Sequence, residues 1–348
     1  EELTLEFKQE LALKAFKVTS SYDATIYKGL CSELGIEDRP DEDKVLPLRK
    51  VQDLRYGENP HQHAALFLPP LKEAPFEQHS GKELSYNNLL DLDTLLRGCS
   101  VFQDLCACTI VKHTTPCGTA YGDNAHDAFV KALECDPVSA FGGIIGMTRC
   151  VDMDTAKTIT ETFFEIVAAP SYGEGVIEYF KEKKPNLRVL TIKPGYAPKL
   201  QITGNRCGFL VQEDMLPPLP VEAQGKWVGE EKSELWDDLI FAWKTAAITK
   251  SNSIVLVKHG AAVGIGGGFT NRVDAADYAL KMAGEKAKGS VLASDAFFPF
   301  PDTIRLAHSR GIVAVIQPGG SIRDDEVAKT AEELGISMFV GGSRTFRH

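Results

Sequence analysis

Short apolar runs alternate with amphipathic stretches along most of this chain. The apolar runs, rich in Val and Ile, fall at residues 107–112, 253–258, 291–294, 312–317 and 338–340. Runs of this length bounded by turn-forming or polar residues predict buried strands, and stretches with apolar residues three and four apart predict helices. Strands and helices that alternate in this way indicate an α/β protein.

The stretches between these runs predict the helices and the domain boundaries. We expect two helices within residues 4–35, the second ending near Gly35, and then a charged linker broken by proline at residues 37–44. Further helices are predicted at residues 127–134, 151–168, 233–249 and 273–288. The predicted domains are a helical arm at residues 1–50, a first half at 51–215 and a second half at 216–348.

A Lys-His pair marks the end of the first predicted strand of this series. Lys112 closes the strand, and His113 precedes a Pro/Gly turn. Ligands of open α/β sheets bind outside the carboxyl ends of the strands, where this pair would supply a positive charge beside a group that exchanges protons near neutral pH. A solvated lysine beside a packing histidine is the alternative. The same order recurs at Lys258 and His259, which indicates two similar halves.

Three other segments each have a ligand-binding and a structural interpretation. The loop at 54–62 offers Arg, Tyr, Asn and His to an anion and a ring, or is a surface turn. The loop at 296–302 is a hydrophobic plug or a pocket for a flat heterocycle. The glycine turn at 318–321 offers backbone N–H groups to an anion, or is a tight connection in which Ser321 caps the next helix.

Composition narrows the class of protein. The 348 residues are 43% apolar and 25% charged, as in a globular protein, and no apolar run is long enough to span a bilayer. The N-terminus lacks the features of a signal peptide, so we expect a cytoplasmic protein. A formal net charge of -10 argues against nucleic-acid binding. The eight cysteines follow no regular framework, which favours reduced core thiols.

Seven motifs together resemble a known family. In chain order they are LRYGENPHQ at 54–62, VKHTTPCG at 111–118, SAFGG at 139–143, KSNS at 250–253, SDAFFPF at 294–300, QPGGSIRDDE at 317–326 and FRH at 346–348. They are similar to the transformylase part of the bifunctional 5-aminoimidazole-4-carboxamide ribonucleotide (AICAR) formyltransferase/IMP cyclohydrolase family. The resemblance extends from about residue 50 to the last residue, with the motifs in the family's order.

This resemblance implies a fold, a reaction and partners. The expected fold is a pair of duplicated, cytidine-deaminase-like three-layer α/β/α domains, in a homodimer with active sites at the interface. The expected reaction transfers a formyl group from 10-formyltetrahydrofolate, the cosubstrate, to the 5-amino group of AICAR in purine (IMP) biosynthesis. A monovalent cation such as potassium is compatible with the family, and no zinc is expected.

The resemblance also implies site residues. The expected catalytic residues are Lys112, His113 and Asn252. The expected AICAR-binding residues are Arg55, Tyr56, Asn88, Gly142, Glu165, Arg344 and His348. The expected folate-binding residues are Phe141, Val273, Phe298, Phe300 and Asp302.

The chain departs from the family's pattern at several positions. Phe269 stands where the family has glutamine, Pro301 where arginine is common, and His259 where asparagine is usual, so the second Lys-His pair is not expected to be catalytic. Residues 8–28 resemble the last helices of the cyclohydrolase domain, and Lys14 matches a lysine of that domain's active site, whose other residues have no counterpart in this sequence. We therefore expect no IMP ring closure by this chain.

Two other functions compete with formyl transfer. A zinc-dependent deaminase would share the implied fold, and Pro116-Cys117 resembles half of its signature, but position 120 is Ala where the second cysteine would stand. A nucleotide- or folate-binding regulator without turnover is the other alternative. The presence of Lys112, His113 and Asn252 argues against a regulator.

Overall fold

The computed structural model describes residues 3–36, 43–70, 72–193, 200–215, 218–221 and 224–348. The chain forms two compact units, one of Glu1–Pro75 with Ala197–Met215 and the other of Phe76–Tyr196 with Leu216–His348. Within the described residues, no helix has both the length and the apolar character needed to cross a membrane.

The helices and strands are numbered along the chain. The first 75 residues contain α1 (Leu5–Glu33), β1 (Arg49–Leu54) and β2 (Ala64–Leu68). They are followed by β3 (Phe76–Ser80), α2 (Tyr86–Val101), β4 (Ala107–Lys112), β5 (Thr115–Tyr121), α3 (Ala125–Leu133), α4 (Pro137–Ala140), β6 (Ile144–Met147), α5 (Met153–Glu161), β7 (Ile166–Ala169), α6 (Val176–Lys183), β8 (Arg188–Ile192), β9 (Leu200–Asn205) and β10 (Gly208–Glu213). The remainder contains β11 (Lys226–Val228), a 3-10 turn (Ser233–Leu235), α7 (Trp236–Ile248), β12 (Ile254–Lys258), β13 (Ala261–Gly266), α8 (Arg272–Ala283), a second 3-10 turn (Gly284–Ala287), β14 (Val291–Ser294), α9 (Asp302–Ser309), β15 (Ala314–Gln317), α10 (Asp324–Glu333) and β16 (Ser337–Val340).

The first unit contains one long helix and two hairpins. α1 is continuous, so the prediction of two helices within residues 4–35 was wrong. The polar residues in its middle do not interrupt it, and the Thr19 and Ser20 hydroxyl groups donate to the carbonyl oxygens of Phe16 and Lys17, each at 3.2 Å. The hairpins pair β1 with β2 and β9 with β10 in antiparallel fashion.

The second unit contains a twelve-stranded mixed sheet, which confirms the α/β class. Its strand order is β11-β16-β15-β14-β12-β13-β5-β4-β6-β7-β8-β3. Outward from the centre, both sides have the same pairing: two antiparallel pairs, two parallel pairs and a final antiparallel pair. The sides meet where β5 and β13 lie antiparallel, with Ala120 opposite Ala261.

Helices cover both faces of this sheet. Neighbouring strand residues point to opposite faces, and β4 shows the result. Ile110 packs in the core on the side of α3, α5 and α6, whereas Val111 packs with Leu92 and Leu95 of α2. In the other half, α8, α9 and α10 cover one face of the strands and α7 covers the other. The unit therefore has three layers.

Most of the predicted strands agree with the structure, but the helix predicted at 151–168 does not. β4 and β14 begin and end at the predicted residues. α5 ends at Glu161, and Glu165 lies in the connection immediately before β7. The prediction of Glu165 on that helix was wrong because residues 166–169 form a fully buried apolar run, which suits a strand between two others.

A close approach of α3 to β5 makes Gly118 a test of the packing. A Cβ atom on Gly118 would lie 2.0 Å from the carbonyl oxygen of Ala132. We expect Gly118→Ala to lower the free energy of unfolding by about 1–3 kcal/mol, because the helix backbone must move. Gly173→Ala is the matched control, since its Cβ would meet its nearest neighbour at 3.6 Å. Urea unfolding curves of the two variants measure the difference, and equal curves would contradict the prediction.

Candidate active site

The Lys-His pair lies on a tight hairpin turn at the edge of the sheet. His113 and Thr114 connect β4 to β5 and have φ values of 51° and 60°. These values are those of a type I′ turn, which needs positive φ at both positions, and positive φ is uncommon for a β-branched residue such as Thr114. The Thr114 N–H donates to Asp91 Oδ1 at 2.6 Å, and the Thr94 hydroxyl donates to the Thr114 carbonyl at 3.3 Å. The His113 side chain is exposed at this edge.

The Lys112 ammonium group is held beside Gly142. Its Nζ donates to the carbonyl oxygen of Phe141 at 2.5 Å. Gly142 has a φ of 74°, and a Cβ atom there would lie 3.8 Å from this Nζ. A side chain at position 142 would therefore be strained by the backbone conformation, although its Cβ would make only an ordinary van der Waals contact with the ammonium group. The exposed ring of Phe141 packs against Phe163 with centroids 5.4 Å apart.

Asn88 and Glu165, which are both expected to bind AICAR, are in direct contact, and Arg188 lies beside them. Asn88 Nδ2 donates to Glu165 Oε2 at 2.8 Å. Arg188 Nη1 lies 3.5 Å from the same oxygen, and its Nε donates to the Glu83 carbonyl at 3.0 Å. Burial lowers the pKa of Arg188, whereas the charge of Glu165 raises it. Sequence reasoning missed Arg188, although an arginine that opens an apolar strand was a usable signal.

Asn252 lines a pocket of about 410 Å³ in the second half. The residues around this pocket are Ser251, Asn252, Gly268, Phe269, Thr270, Phe346 and His348. The pocket thus brings together two predicted site residues, Asn252 and His348, with Phe269, one of the departures from the family's pattern.

A buried ion pair fixes the Asn252 side chain. Arg272 Nη2 donates to Asn252 Oδ1 at 2.8 Å, and Asn252 Nδ2 donates to the Phe269 carbonyl at 3.0 Å. Arg272 also pairs with Asp295, and both side chains are buried. The other Asp295 oxygen, Oδ2, accepts from the Ser251 hydroxyl at 2.6 Å. Sequence reasoning missed Arg272 and Asp295 because their partners are distant in the chain.

Arg347 connects the Asn252 pocket to the His113 turn. Its backbone N–H donates to Ser251 Oγ at 3.1 Å, and its carbonyl accepts from the Ser251 N–H at 2.8 Å. Its Nη2 donates to Thr94 Oγ1 at 2.8 Å, and Thr94 bonds the Thr114 carbonyl. Hydrogen bonds therefore join the two parts of the candidate site within the second unit.

Comparison with known proteins identifies the family. The model of the AICARFT/IMPCHase bienzyme family matches residues 1–282. The chain belongs to this family. It is 45% identical to the bifunctional purine biosynthesis protein PurH of Persephonella marina and 46% identical to that of Bacillus mycoides. The whole chain aligns in both cases and spans 69% and 68% of these relatives. A PurH of Thermoanaerobacter is 45% identical over 97% of the chain.

The folate-binding residues expected from the AICARFT/IMPCHase resemblance have different exposures. Phe298 is fully buried in the core, whereas Phe300 is about half exposed and its ring lies 4.6 Å from the Arg323 guanidinium. Asp302 is exposed and begins α9, and Val273 follows Arg272 in the first turn of α8. These four folate contacts, like that of Phe141, stay predictions.

The remaining nucleotide-binding predictions fall in both units. In the first, the Arg55 guanidinium lies 5.4 Å from the Tyr56 ring, and the following loop is closed by a 2.7 Å bond from the Gly57 N–H to the Gln62 carbonyl. In the second, the Arg344 guanidinium lies 4.6 Å from the Phe346 ring. Their contacts with AICAR stay predictions.

The backbone N–H groups of the glycine turn at 318–321 are hydrogen-bonded to side chains of the protein itself. The Gly320 and Ser321 N–H groups donate to Asp324 at 2.6 and 3.1 Å, and the Gly319 N–H donates to Gln317 Oε1 at 3.3 Å. The suggestion that these groups bind an external anion was wrong, because the side chains of Asp324 and Gln317 already satisfy them. Ser321 does not cap α10 either, since its hydroxyl oxygen accepts from the N–H of Arg323, the residue before that helix.

The cysteines do not assemble a metal site in the described part of the chain. No group of three or more His, Cys, Asp or Glu residues there is placed to hold a metal ion. Burial raises the pKa of the Cys117 thiol to about 12. Without a bound cation, the thiol is therefore protonated at neutral pH.

Proposed function

We propose that this chain transfers a formyl group from 10-formyltetrahydrofolate to the 5-amino group of AICAR, giving formyl-AICAR in purine biosynthesis. The observation that carries the proposal is that Lys112 and His113 project from a turn hydrogen-bonded through Thr94 and Arg347 to the Asn252 pocket. Membership of the AICARFT/IMPCHase family supports the same reaction.

His113 has the chemistry of the proton acceptor. The 5-amino group of AICAR is a poor nucleophile, because its lone pair is delocalised into the imidazole and the carboxamide. Its proton must therefore leave as the new C–N bond forms, and the exposed His113 imidazole accepts it, directly or through the carboxamide of AICAR. The folate cosubstrate supplies the formyl group. As the bond from that group to the donor nitrogen breaks, the nitrogen keeps the electron pair and takes up one proton, which gives tetrahydrofolate and balances the proton removed from the amino group.

Lys112 and Asn252 stabilise and orient the reacting groups. The Lys112 ammonium group provides positive charge where negative charge develops on the formyl oxygen. Its present acceptor, the Phe141 carbonyl, is neutral, so the ammonium charge remains available to substrate. Asn252 is fixed by Arg272 and the Phe269 carbonyl, which suits a residue that must hold one orientation.

The proposal also includes the ligand contacts. Arg55, Tyr56, Asn88, Gly142, Glu165, Arg344 and His348 hold AICAR, with the arginines nearest its phosphate. Phe141, Val273, Phe298, Phe300 and Asp302 hold the folate. The proximity of Asn88 to Glu165, and of Lys112 to Gly142, supports the first group.

The finer structural expectations are part of the same proposal. We propose that residues 51–215 and 216–348 are two cytidine-deaminase-like α/β/α domains, which the equal strand pairing on both sides of the sheet supports. Residues 1–50 form the helical arm. We further propose a cytoplasmic homodimer with active sites at the interface, without zinc and compatible with a monovalent cation such as potassium.

The decisive experiment is a turnover assay. The protein is incubated with AICAR and 10-formyltetrahydrofolate, and formyl-AICAR and tetrahydrofolate are measured together, with reactions lacking either substrate as controls. We expect the two products in equal amounts. Binding of both substrates without product would instead select the regulator, and no binding of either would refute the proposed substrates.

A further inference from the structure

Asp91 lies against the His113 turn and has no role in the proposed reaction so far. We propose that Asp91 is a positioning residue for formyl transfer, whose carboxylate fixes the His113 turn so that the imidazole and the Lys112 ammonium group face the same substrate. This inference rests on the proposed function, because it assumes that Lys112 and His113 carry the chemistry.

The turn has a backbone conformation that its residues do not favour by themselves. Thr114 has a φ of 60°, and positive φ is rare for a β-branched side chain. The 2.6 Å bond from the Thr114 N–H to Asp91 Oδ1 is the shorter of the two contacts that hold it, the other being the 3.3 Å bond from the Thr94 hydroxyl to the Thr114 carbonyl. Burial raises the pKa of the Asp91 carboxyl, and the N–H groups of Thr114 and His113 oppose this by hydrogen bonding to the charged form.

The other half of the sheet contains the same arrangement at the second Lys-His pair. Between β12 and β13, His259 and Gly260 have φ values of 52° and 73°. Their N–H groups donate to the two carboxylate oxygens of Asp238 on α7, at 2.8 and 2.7 Å. Lys258 Nζ donates to the Lys288 carbonyl at 2.7 Å, as Lys112 does to Phe141. In both halves, therefore, a carboxylate on a neighbouring helix accepts hydrogen bonds from backbone N–H groups of the Lys-His turn.

One difference between the halves indicates where the carboxylate matters most. Gly260 adopts positive φ without a steric penalty, whereas Thr114 at the corresponding position does not. The His259 turn can therefore keep its shape without Asp238. The His113 turn depends on Asp91, and without it Thr114 would relax toward negative φ and rotate His113 away from Lys112.

The experiment compares the two carboxylates in steady-state kinetics. We expect Asp91→Ala to lower kcat by about 10²-fold, with the KM for AICAR changed only a few-fold, because displacement of a reacting group costs this much. Asp238→Ala is the matched control and should retain the wild-type kcat, since it removes the same hydrogen bonds from the turn that is not catalytic. The thermal unfolding midpoints of Asp91→Ala and Asp238→Ala are measured as well, to compare the loss of stability in the two variants.

Two rescue variants separate positioning from general destabilisation. Asp91→Asn keeps an oxygen that can accept from Thr114 and should recover most of kcat. Adding Thr114→Gly to Asp91→Ala copies the other half and should recover part of kcat, even if Asp91→Ala itself folds poorly. A wild-type kcat in Asp91→Ala, an equal loss in Asp238→Ala, or no recovery in either rescue would overturn the inference. Absence of turnover in the unmodified protein would instead refute the proposed function.

Discussion

The His113→Ala variant is expected to lose about 10²–10⁴-fold in kcat, because general-base help contributes a factor of this size. The side chain is exposed, so its removal should leave the free energy of unfolding almost unchanged. The measurement is the rate of formyl-AICAR formation at saturating concentrations of both substrates, together with the binding of AICAR. We expect AICAR to bind nearly as tightly as to the unmodified protein.

His259→Ala is the control for His113→Ala. His259 occupies the corresponding turn, has nearly the same φ, and is also exposed. Its replacement should leave kcat unchanged. If both variants keep full activity, His113 is not the proton acceptor, and if both lose activity equally, the effect is not specific to the proposed site.

Asp295→Ala is expected to destabilise the protein by about 3–5 kcal/mol, because it leaves the buried guanidinium of Arg272 without its partner. It also removes the acceptor of the Ser251 hydroxyl, next to Asn252. Urea unfolding measures the loss of stability. The exposed pair of Lys329 and Glu333 gives the control, since Glu333→Ala should change the free energy of unfolding by less than about 1 kcal/mol.

A double replacement distinguishes stability from catalysis at this pair. Arg272→Met with Asp295→Leu removes both charges and should recover much of the stability lost in Asp295→Ala. It also removes the bond from Arg272 to Asn252 Oδ1, so kcat should fall below that of the unmodified protein. Full activity in a stable double variant would show that Asn252 does not need this support. A small effect of Asp295→Ala on unfolding would show that the ion pair does not stabilise the fold.

The sequence predicted five strands of the sheet because they are short and apolar. It missed β5 and β13 at the centre, where glycines interrupt the apolar pattern. β4 and β14 have the predicted bounds, and the repeated Lys-His order indicated the two similar halves of the sheet. The error at Glu165 has a physical cause. The helical pattern of α5 leads through two phenylalanines into a buried strand without Pro or Gly, so no turn signal marks the boundary.

The motifs indicated the residues of the candidate site, but they did not indicate the residues that support them. Lys112 with Gly142, and Asn88 with Glu165, lie close together although they are 30 and 77 positions apart. Arg188 supports this second pair, and Arg272, Asp295 and Arg347 hold Asn252 and the segment next to it. Arg188 opens an apolar strand, which was a usable signal. Arg272, Asp295 and Arg347 have ordinary local sequences, and no local pattern could have identified them, because their importance arises only when the fold brings in their distant partners.

The outermost strands of the sheet are poor templates for growth by strand addition. β11 has three residues, and β3 shifts register between Gln78 and Ser80 where it pairs with β8. A short or irregular border presents few aligned N–H and C=O groups to an approaching chain. A sheet rich in Val and Ile would form fibrils more readily at high concentration if its outer strands were long and regular. The short β11 and the irregular β3 make this less favourable.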